Sequence, residues 1–372
     1  MLQTNLLAPG HADLITHVTY DFYGERLATC SADQKIKIFR KTLEGTWDQE
    51  TEWKAHDAPI LHLSFAHPVH GSLLASSSHD RSVRIWEEPT GRERDGRWIE
   101  RAVLTGSKGS VKQVEFGTAD SGSEPRVATI STDSYLRIYS SADPSLSDWS
   151  LLQPIYIPTL PLPGTSDETP VDSSSANITN GSTSSNINTN ELAIGGWGLS
   201  WCKERWWGSI LCCFSGISPI IKILSIPLDT SSSSTSLLFL NPPNNSSNSP
   251  LTSISWAPSC GRAYHLIATG SRDGTVRIWR IEPPNEKLRL DYNDDGDDAN
   301  SGSSSWKGEC VADFGKGGAR IGMVDWNATG TTLTTTDDEG IVRIYKPTYA
   351  RSWKLLGQMT AEEPPHEDGN GQ

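Results

Sequence analysis

One short element recurs six times along the 372 residues, and this recurrence limits the fold more than any other feature. It reads Asp33-Gln-Lys-Ile-Lys-Ile-Phe39, Asp80-Arg-Ser-Val-Arg-Ile-Trp86, Asp133-Ser-Tyr-Leu-Arg-Ile-Tyr139 and Asp273-Gly-Thr-Val-Arg-Ile-Trp279. Glu339-Gly-Ile-Val-Arg-Ile-Tyr345 closes the series, and Ser218-Pro-Ile-Ile-Lys-Ile-Leu224 is a degenerate copy. A unit this short cannot bury its own apolar face, so successive units must stack.

Around each copy the apolar residues alternate with a period of two, which marks strands rather than helices. A short strand precedes most copies, as in Leu27-Ala-Thr-Cys-Ser31 and Ile267-Ala-Thr-Gly-Ser271. Before it lies another that ends in an aromatic, as in Ile60-Leu-His-Leu-Ser-Phe65 and Met323-Val-Asp-Trp326. A fourth strand follows and opens near Trp47, Trp98, Trp149, Trp306 or Trp353, five of the 14 tryptophans. Four strands per unit describe a blade, so the expected fold is all-β, a six-bladed β-propeller in a single domain over residues 1–372. The pattern resembles the WD-repeat family, although only Trp86 and Trp279 keep the closing tryptophan and the fourth unit carries Ser218 for the turn aspartate.

Asp33, Asp80, Asp133, Asp273 and Glu339 read as the structural turn carboxylates, able to accept from backbone N–H groups or from His11 and His56. An active site occurs once in a chain; a residue repeated from blade to blade is architectural. The basic series Lys37, Arg84, Arg137, Lys222, Arg277 and Arg343 alternates with apolar neighbours, so its stems pack on the blade and its heads find carboxylates or water.

Six blades of about 40–45 residues account for about 250 of the 372 and leave about 120 over. The excess is expected as disordered insertions at about 158–190, 229–250 and 282–305, with a flexible tail at 360–372, because Ser/Thr/Asn-rich stretches cannot bury a core. Asp291, Asn293, Asp295 and Gly296 imitate the start of an EF-hand loop, but Gly302 stands at its twelfth position, so a solvated acidic loop and no metal are expected.

A net charge of −13 argues against direct nucleic-acid binding. No apolar run is long enough to span a membrane, and Met1 to Gly10 do not form a signal peptide. The six cysteines lack metal-ligand spacing and read as reduced thiols, with Cys212-Cys213 buried in a strand. No phosphate loop, HExxH or nucleophile elbow occurs, so neither an enzyme nor a cofactor is expected.

The last unit has its own outer strand at Ser352-Trp353-Lys-Leu-Leu356, so no N-terminal strand is left to clasp the ring. The expectation is an open ring whose flanks, on blades one and six, accept a strand from a partner. Ile15, Val18, Tyr20, Phe22, Ile321, Met323, Val324 and Trp326 are the candidate partner-binding residues.

The stretch from His11 to Asp33, together with Phe65-Ala-His-Pro68, Ile85-Trp-Glu87, Trp256-Ala-Pro258, Gly261-Arg262, Asp325-Trp-Asn-Ala-Thr-Gly330 and Tyr349-Ala-Arg-Ser-Trp-Lys354, resembles the Seh-type nucleoporins, and the long Ser/Asn loops resemble a fungal member. The resemblance implies a scaffold at the nuclear envelope, in the Y-shaped outer-ring complex of the nuclear pore, serving nucleocytoplasmic transport of mRNA and protein. It further implies an α-solenoid nucleoporin that donates a seventh blade, and a place in the SEA complex at the vacuole membrane, which regulates target-of-rapamycin signalling. Two alternatives stand beside it: a COPII-type vesicle-coat scaffold of the same plan, and a WD-repeat substrate adaptor or propeller enzyme. The last would need a functional cluster among His11, His56, Gly109 and Arg320 at the strand starts, which form no coherent chemical set.

Overall fold

The computed structural model describes residues 7, 9–88, 98–118, 124–163, 193–204, 207–227, 233–243, 246–284, 305–315, 318–349 and 352–360. These residues form twenty-four strands in six four-stranded antiparallel meanders arranged as a ring. Blade one comprises β1 (Ile15–Tyr20), β2 (Arg26–Ser31), β3 (Lys35–Lys41) and β4 (Trp47–Lys54). Blade two is β5 (Ile60–Phe65), β6 (Leu73–Ser78), β7 (Val83–Glu87) and β8 (Ile99–Leu104). Blade three is β9 (Val111–Phe116), β10 (Arg126–Ser131), β11 (Tyr135–Ser140) and β12 (Ser150–Tyr156). Blade four is β13 (Gly196–Trp201), β14 (Ile210–Gly216), β15 (Ile221–Ser225) and β16 (Thr235–Leu240). Blade five is β17 (Leu251–Trp256), β18 (His265–Ser271), β19 (Val276–Glu282) and β20 (Lys307–Asp313). Blade six is β21 (Ile321–Trp326), β22 (Leu333–Asp337), β23 (Ile341–Pro347) and β24 (Trp353–Thr360). The six-bladed propeller expected from the repeat is the fold.

The apolar core lies between blades. Ala28, Ile36 and Ile38 of blade one pack on Ile60, Leu63, Leu74 and Trp86 of blade two. The same arrangement recurs at the next four junctions and ends with Ala268, Val276 and Ile278 of blade five against Ile321, Val324 and Trp326 of blade six. The first strand of each of blades two to six therefore faces the blade before it, and its alternating pattern follows from that contact.

The turn between second and third strands repeats as the sequence suggests. In blade two the Nδ1–H of the buried His56 donates to Asp80 at 2.7 Å, the Ser76 hydroxyl donates to His56 Nε2 at 2.8 Å, and Trp86 Nε1–H donates to that hydroxyl at 2.9 Å. Asp80 only accepts, so it fixes the imidazole tautomer; burial pushes its carboxyl up, but the bonds from His56 and from the Ser82 hydroxyl and N–H outweigh this and hold it far below the usual range. In blade one His11 bridges Asp33 and Thr29, both at 2.9 Å. In blade three Arg137 takes the histidine's place on Asp133 at 2.7 Å. Asp273 in blade five accepts the Ser271 hydroxyl at 2.6 Å.

Blade six differs. Glu339 holds the turn position, ahead of the left-handed Gly340 (φ 77°), but its side chain is exposed and it contributes its backbone N–H. The working carboxylate is Asp337, two residues earlier, which accepts the N–H groups of Glu339 and Ile341 and pairs with Arg343 at 2.5 Å. Asp337 replaces the serine found there in blades one, two, three and five, and a carboxylate serves both the serine's bond and the aspartate's. The other basic heads of the series also find oxygen: Lys37 reaches Gly10 O and Glu52, Arg84 Glu100, Lys222 Ile157 O, and Arg277 Asp313.

The segment 229–250 departs from expectation, because Thr235–Leu240 within it is β16, the outer strand of blade four. Leu237 and Leu238 pack on the core shared with blade five, so the Ser/Thr surroundings hide a real apolar pattern. Most of the expected insertions at 158–190 and 282–305, including the acidic loop at 291–298, and the tail beyond residue 360 lie outside the described residues. All six cysteines are free thiols, with Cys212 and Cys213 fully buried. No helix among the described residues is long and apolar enough to cross a membrane.

Candidate partner-binding seam

Five inter-blade cores serve six blades, and the junction between blades six and one is the one without a core among the described residues. The inner strands β1 and β21 do not pack on one another as the other neighbouring inner strands do. Exposure reports the same break. Ile60 and Leu63 are 0% and 1% exposed, and Ile321 and Val324 are 1% and 2%. The matching residues of β1, Ile15 and Val18, are 43% and 38% exposed, and Tyr20 is 57%. Leu14, Phe22 and Tyr23 extend this patch, with Phe22 edge-on to His67.

Hydrogen bonding reports it independently. At each filled junction, side chains of one inner strand bond to the backbone of the next. Thr16 donates to Ile60 O at 2.6 Å and His17 Nδ1 accepts the Leu63 N–H at 3.3 Å. Ser64 Oγ accepts the Phe116 N–H at 3.1 Å. Gln113 accepts the Leu199 N–H at 3.0 Å, and Glu115 accepts that of Trp201 at 3.2 Å while pairing with Lys203. Ser200 Oγ accepts the Trp256 N–H at 3.1 Å. Thr252 donates to Ile321 O at 2.6 Å, and Ser253 Oγ accepts the Val324 N–H at 3.1 Å. On β21 the residues that should serve β1 are Gly322, Met323 and Asp325. Gly322 has no hydroxyl and Met323 no strong acceptor, so the missing contact is written into the side chains.

The candidate residues separate accordingly. Ile15, Val18 and Tyr20 lie exposed on β1 at the seam, whereas Phe22, beyond the end of β1, is exposed with its ring against His67 of blade two. Ile321, Val324 and Trp326 are buried against blade five, and Met323 is partly buried at the central channel, so none of these four forms the blade-six flank. By register that flank is Thr334, Thr336, Val342, Ile344 and Met359, the counterparts of Ala28, Cys30, Ile36, Ile38 and Trp53 in blade one. Two threonines where blade one has Ala28 and Cys30 are the signal in the sequence that this face differs.

The central channel encloses about 880 Å³ and is lined by the inner strands, with His17 and His62 stacked at 3.7 Å. Burial lowers the pKa of His17 to about 4 and of His62 well below its ordinary value. The four residues at the strand starts do not converge: His11 and His56 belong to the turns of blades one and two, Gly109 lies against Thr132, and Arg320 faces Asp338 at 3.8 Å. No group of histidine, cysteine and carboxylate side chains suited to a metal occurs among the described residues.

The chain matches the WD domain, G-beta repeat family over residues 3–40, 47–87 and 242–280. It is 30% identical to nucleoporin seh1 of Schizosaccharomyces pombe over 98% of this chain and 97% of that protein. Identity to nucleoporin SEH1 of Saccharomyces cerevisiae is 31%, over 95% and 98% of the two chains. The human protein of the same name is 29% identical over 98% of this chain and 90% of its own. Full-length similarity at this level, on a WD-repeat ring of six blades, shows that the chain belongs to the SEH1 family of nucleoporins.

Proposed function

We propose that the chain is a non-enzymatic scaffold subunit of the nuclear pore, within the Y-shaped outer-ring complex, and that its seam seats a β-blade donated by an α-solenoid nucleoporin. The observation that carries this is the vacant junction: β1 exposes Ile15 and Val18, whereas their counterparts Ile60 and Leu63, Val111 and Val114, Leu251 and Ile254, and Ile321 and Val324 are buried. An apolar sheet face left open in this way is a site for strand addition. The relatives' name supports the pore as the place, and the same seam suits a second assembly, the SEA complex at the vacuolar membrane, acting on target-of-rapamycin signalling. The test is affinity purification of the tagged full chain and of its Ile15→Glu and Val18→Glu variants, with chemical cross-linking of what co-purifies. Cross-links from a helical partner to residues 14–23, lost in both variants, are expected. A chain that purifies as a closed monomer, or a partner retained undiminished by both variants, would sink the proposal.

A further inference from the structure

Taking the seam as the seat of a partner's blade, on which this inference rests, we infer that the incoming inner strand carries a fixed polar register: a Thr-type hydroxyl, then acceptor side chains at two alternate channel-facing positions, with Asp325 accepting a backbone N–H of that strand.

The vacancy continues the row of five junctions, and those junctions set its chemistry. Val18 pairs with Thr29 as Val324 pairs with Thr335, and Tyr20 pairs with Leu27 as Trp256 pairs with Ile267. The N–H groups of Val324 and Trp256 point to the channel edge, onto Ser253 and Ser200. The N–H groups of Val18 and Tyr20 therefore point to the same edge, where no side chain among the described residues accepts them. A blade that covered them without acceptors would leave buried donors unpaired, which weakens its binding. The Ile15 carbonyl stands where those of Ile60 and Ile321 accept the Thr16 and Thr252 hydroxyls.

The other flank offers one acceptor. Asp325 occupies on β21 the place of Glu115 on β9, whose carboxylate receives the Trp201 N–H. Asp325 Oδ1 takes the Trp326 N–H at 2.8 Å and the Ser255 hydroxyl at 3.3 Å, which leaves Oδ2 for the next strand. A purely apolar insert fits neither flank. One with the pattern of Thr252-Ser253-Ile254-Ser255-Trp256 fits both.

Blade five of this chain is therefore a usable probe. A second copy of residues 246–315 is joined by a flexible linker after residue 372 of the full chain, and amide hydrogen exchange is read at residues 15–20. At least tenfold slower exchange than in the unfused chain is expected. Ser253→Ala with Ser255→Ala in the appended copy alone, or Asp325→Leu in the host, should return exchange towards the unfused rate. Asp325→Asn, which keeps an acceptor oxygen, should retain the protection, and unchanged exchange at residues 60–65 verifies the host fold. Protection that survives loss of the hydroxyls and of Asp325 overturns the register and leaves the seam reading standing. No protection in any fusion overturns the seam reading as well.

Discussion

Ile15 and Ile60 are the same residue type at the same register position of adjacent inner strands, 43% and 0% exposed. Truncating each to alanine measures whether the ring is open in solution. The substitution removes three carbons, worth about 0.8 kcal/mol each when fully buried, or about 2.4 kcal/mol of transfer free energy. At Ile60 a cavity term adds to this, for a total of about 3–5 kcal/mol. At Ile15 little more than half of the side chain is out of water and no closed cavity forms, so the loss is about 1.4 kcal/mol or less. Urea unfolding followed by tryptophan fluorescence should give Ile60→Ala the larger fall in midpoint, by a factor of two or more in free energy, at similar slopes. The order reverses for partner binding. There Ile15→Ala should weaken affinity about tenfold or more, because the bound blade buries what the free chain exposes, and Ile60→Ala should leave it nearly unchanged. Equal destabilisation by the two substitutions would mean that blade six covers β1, and the seam argument would fail.

Two further outcomes follow from the buried polar groups. Asp80→Ala strands the buried His56 and frees Ser82, which should cost about 1–3 kcal/mol in the same unfolding assay, whereas Glu339→Ala, at a side chain outside its own turn network, should cost less than about 0.5 kcal/mol. For pH, His17 and His265 have folded values near 4, below the unfolded 6.5, so between these limits the unfolded chain binds more protons and stability falls as pH drops from 6.5 towards 4. The turn carboxylates follow in a lower window: Asp273, held at about 2 against an ordinary 3.8, loses its contribution only as pH falls from 3.8 towards 2. A melting temperature flat from pH 7 to pH 4 would contradict the first step.

The repeat made the blades readable because each strand and turn is a local pattern. The histidine partners of Asp33 and Asp80 could be named for the same reason. What escaped depends on neighbours. Ile321, Val324 and Trp326 follow the same alternation as Ile15, Val18 and Tyr20, and alternation does not say which copy has lost the blade in front of it. The distinguishing signals are small: Gly322 and Met323 where other inner strands carry Thr16 and His17, or Thr252 and Ser253. β16 was obscured because its apolar residues sit among serines and lack the tryptophan that marks other outer strands. Asp337 was missed because its side chain works from the serine position of the turn rather than the aspartate position.

The bonds that hydroxyl, amide, imidazole and carboxylate side chains of the inner strands make to backbone run from each blade to its successor, while the Trp201 and Trp326 Nε1–H groups reach back to Glu115 O and Ser255 O, so the two sides of the vacancy are not equivalent. A face that offers acceptors and a face that needs them would fit not only a foreign blade but also the opposite end of a second copy. Such a contact is head-to-tail, and repeated without closure it builds a filament rather than a dimer. Glycine and methionine at positions 322 and 323 deprive that self-contact of the hydroxyl and the acceptor that Thr16 and His17 supply to blade two, and Thr252 and Ser253 to blade six. The same two residues that leave the ring incomplete also keep one incomplete ring from completing another.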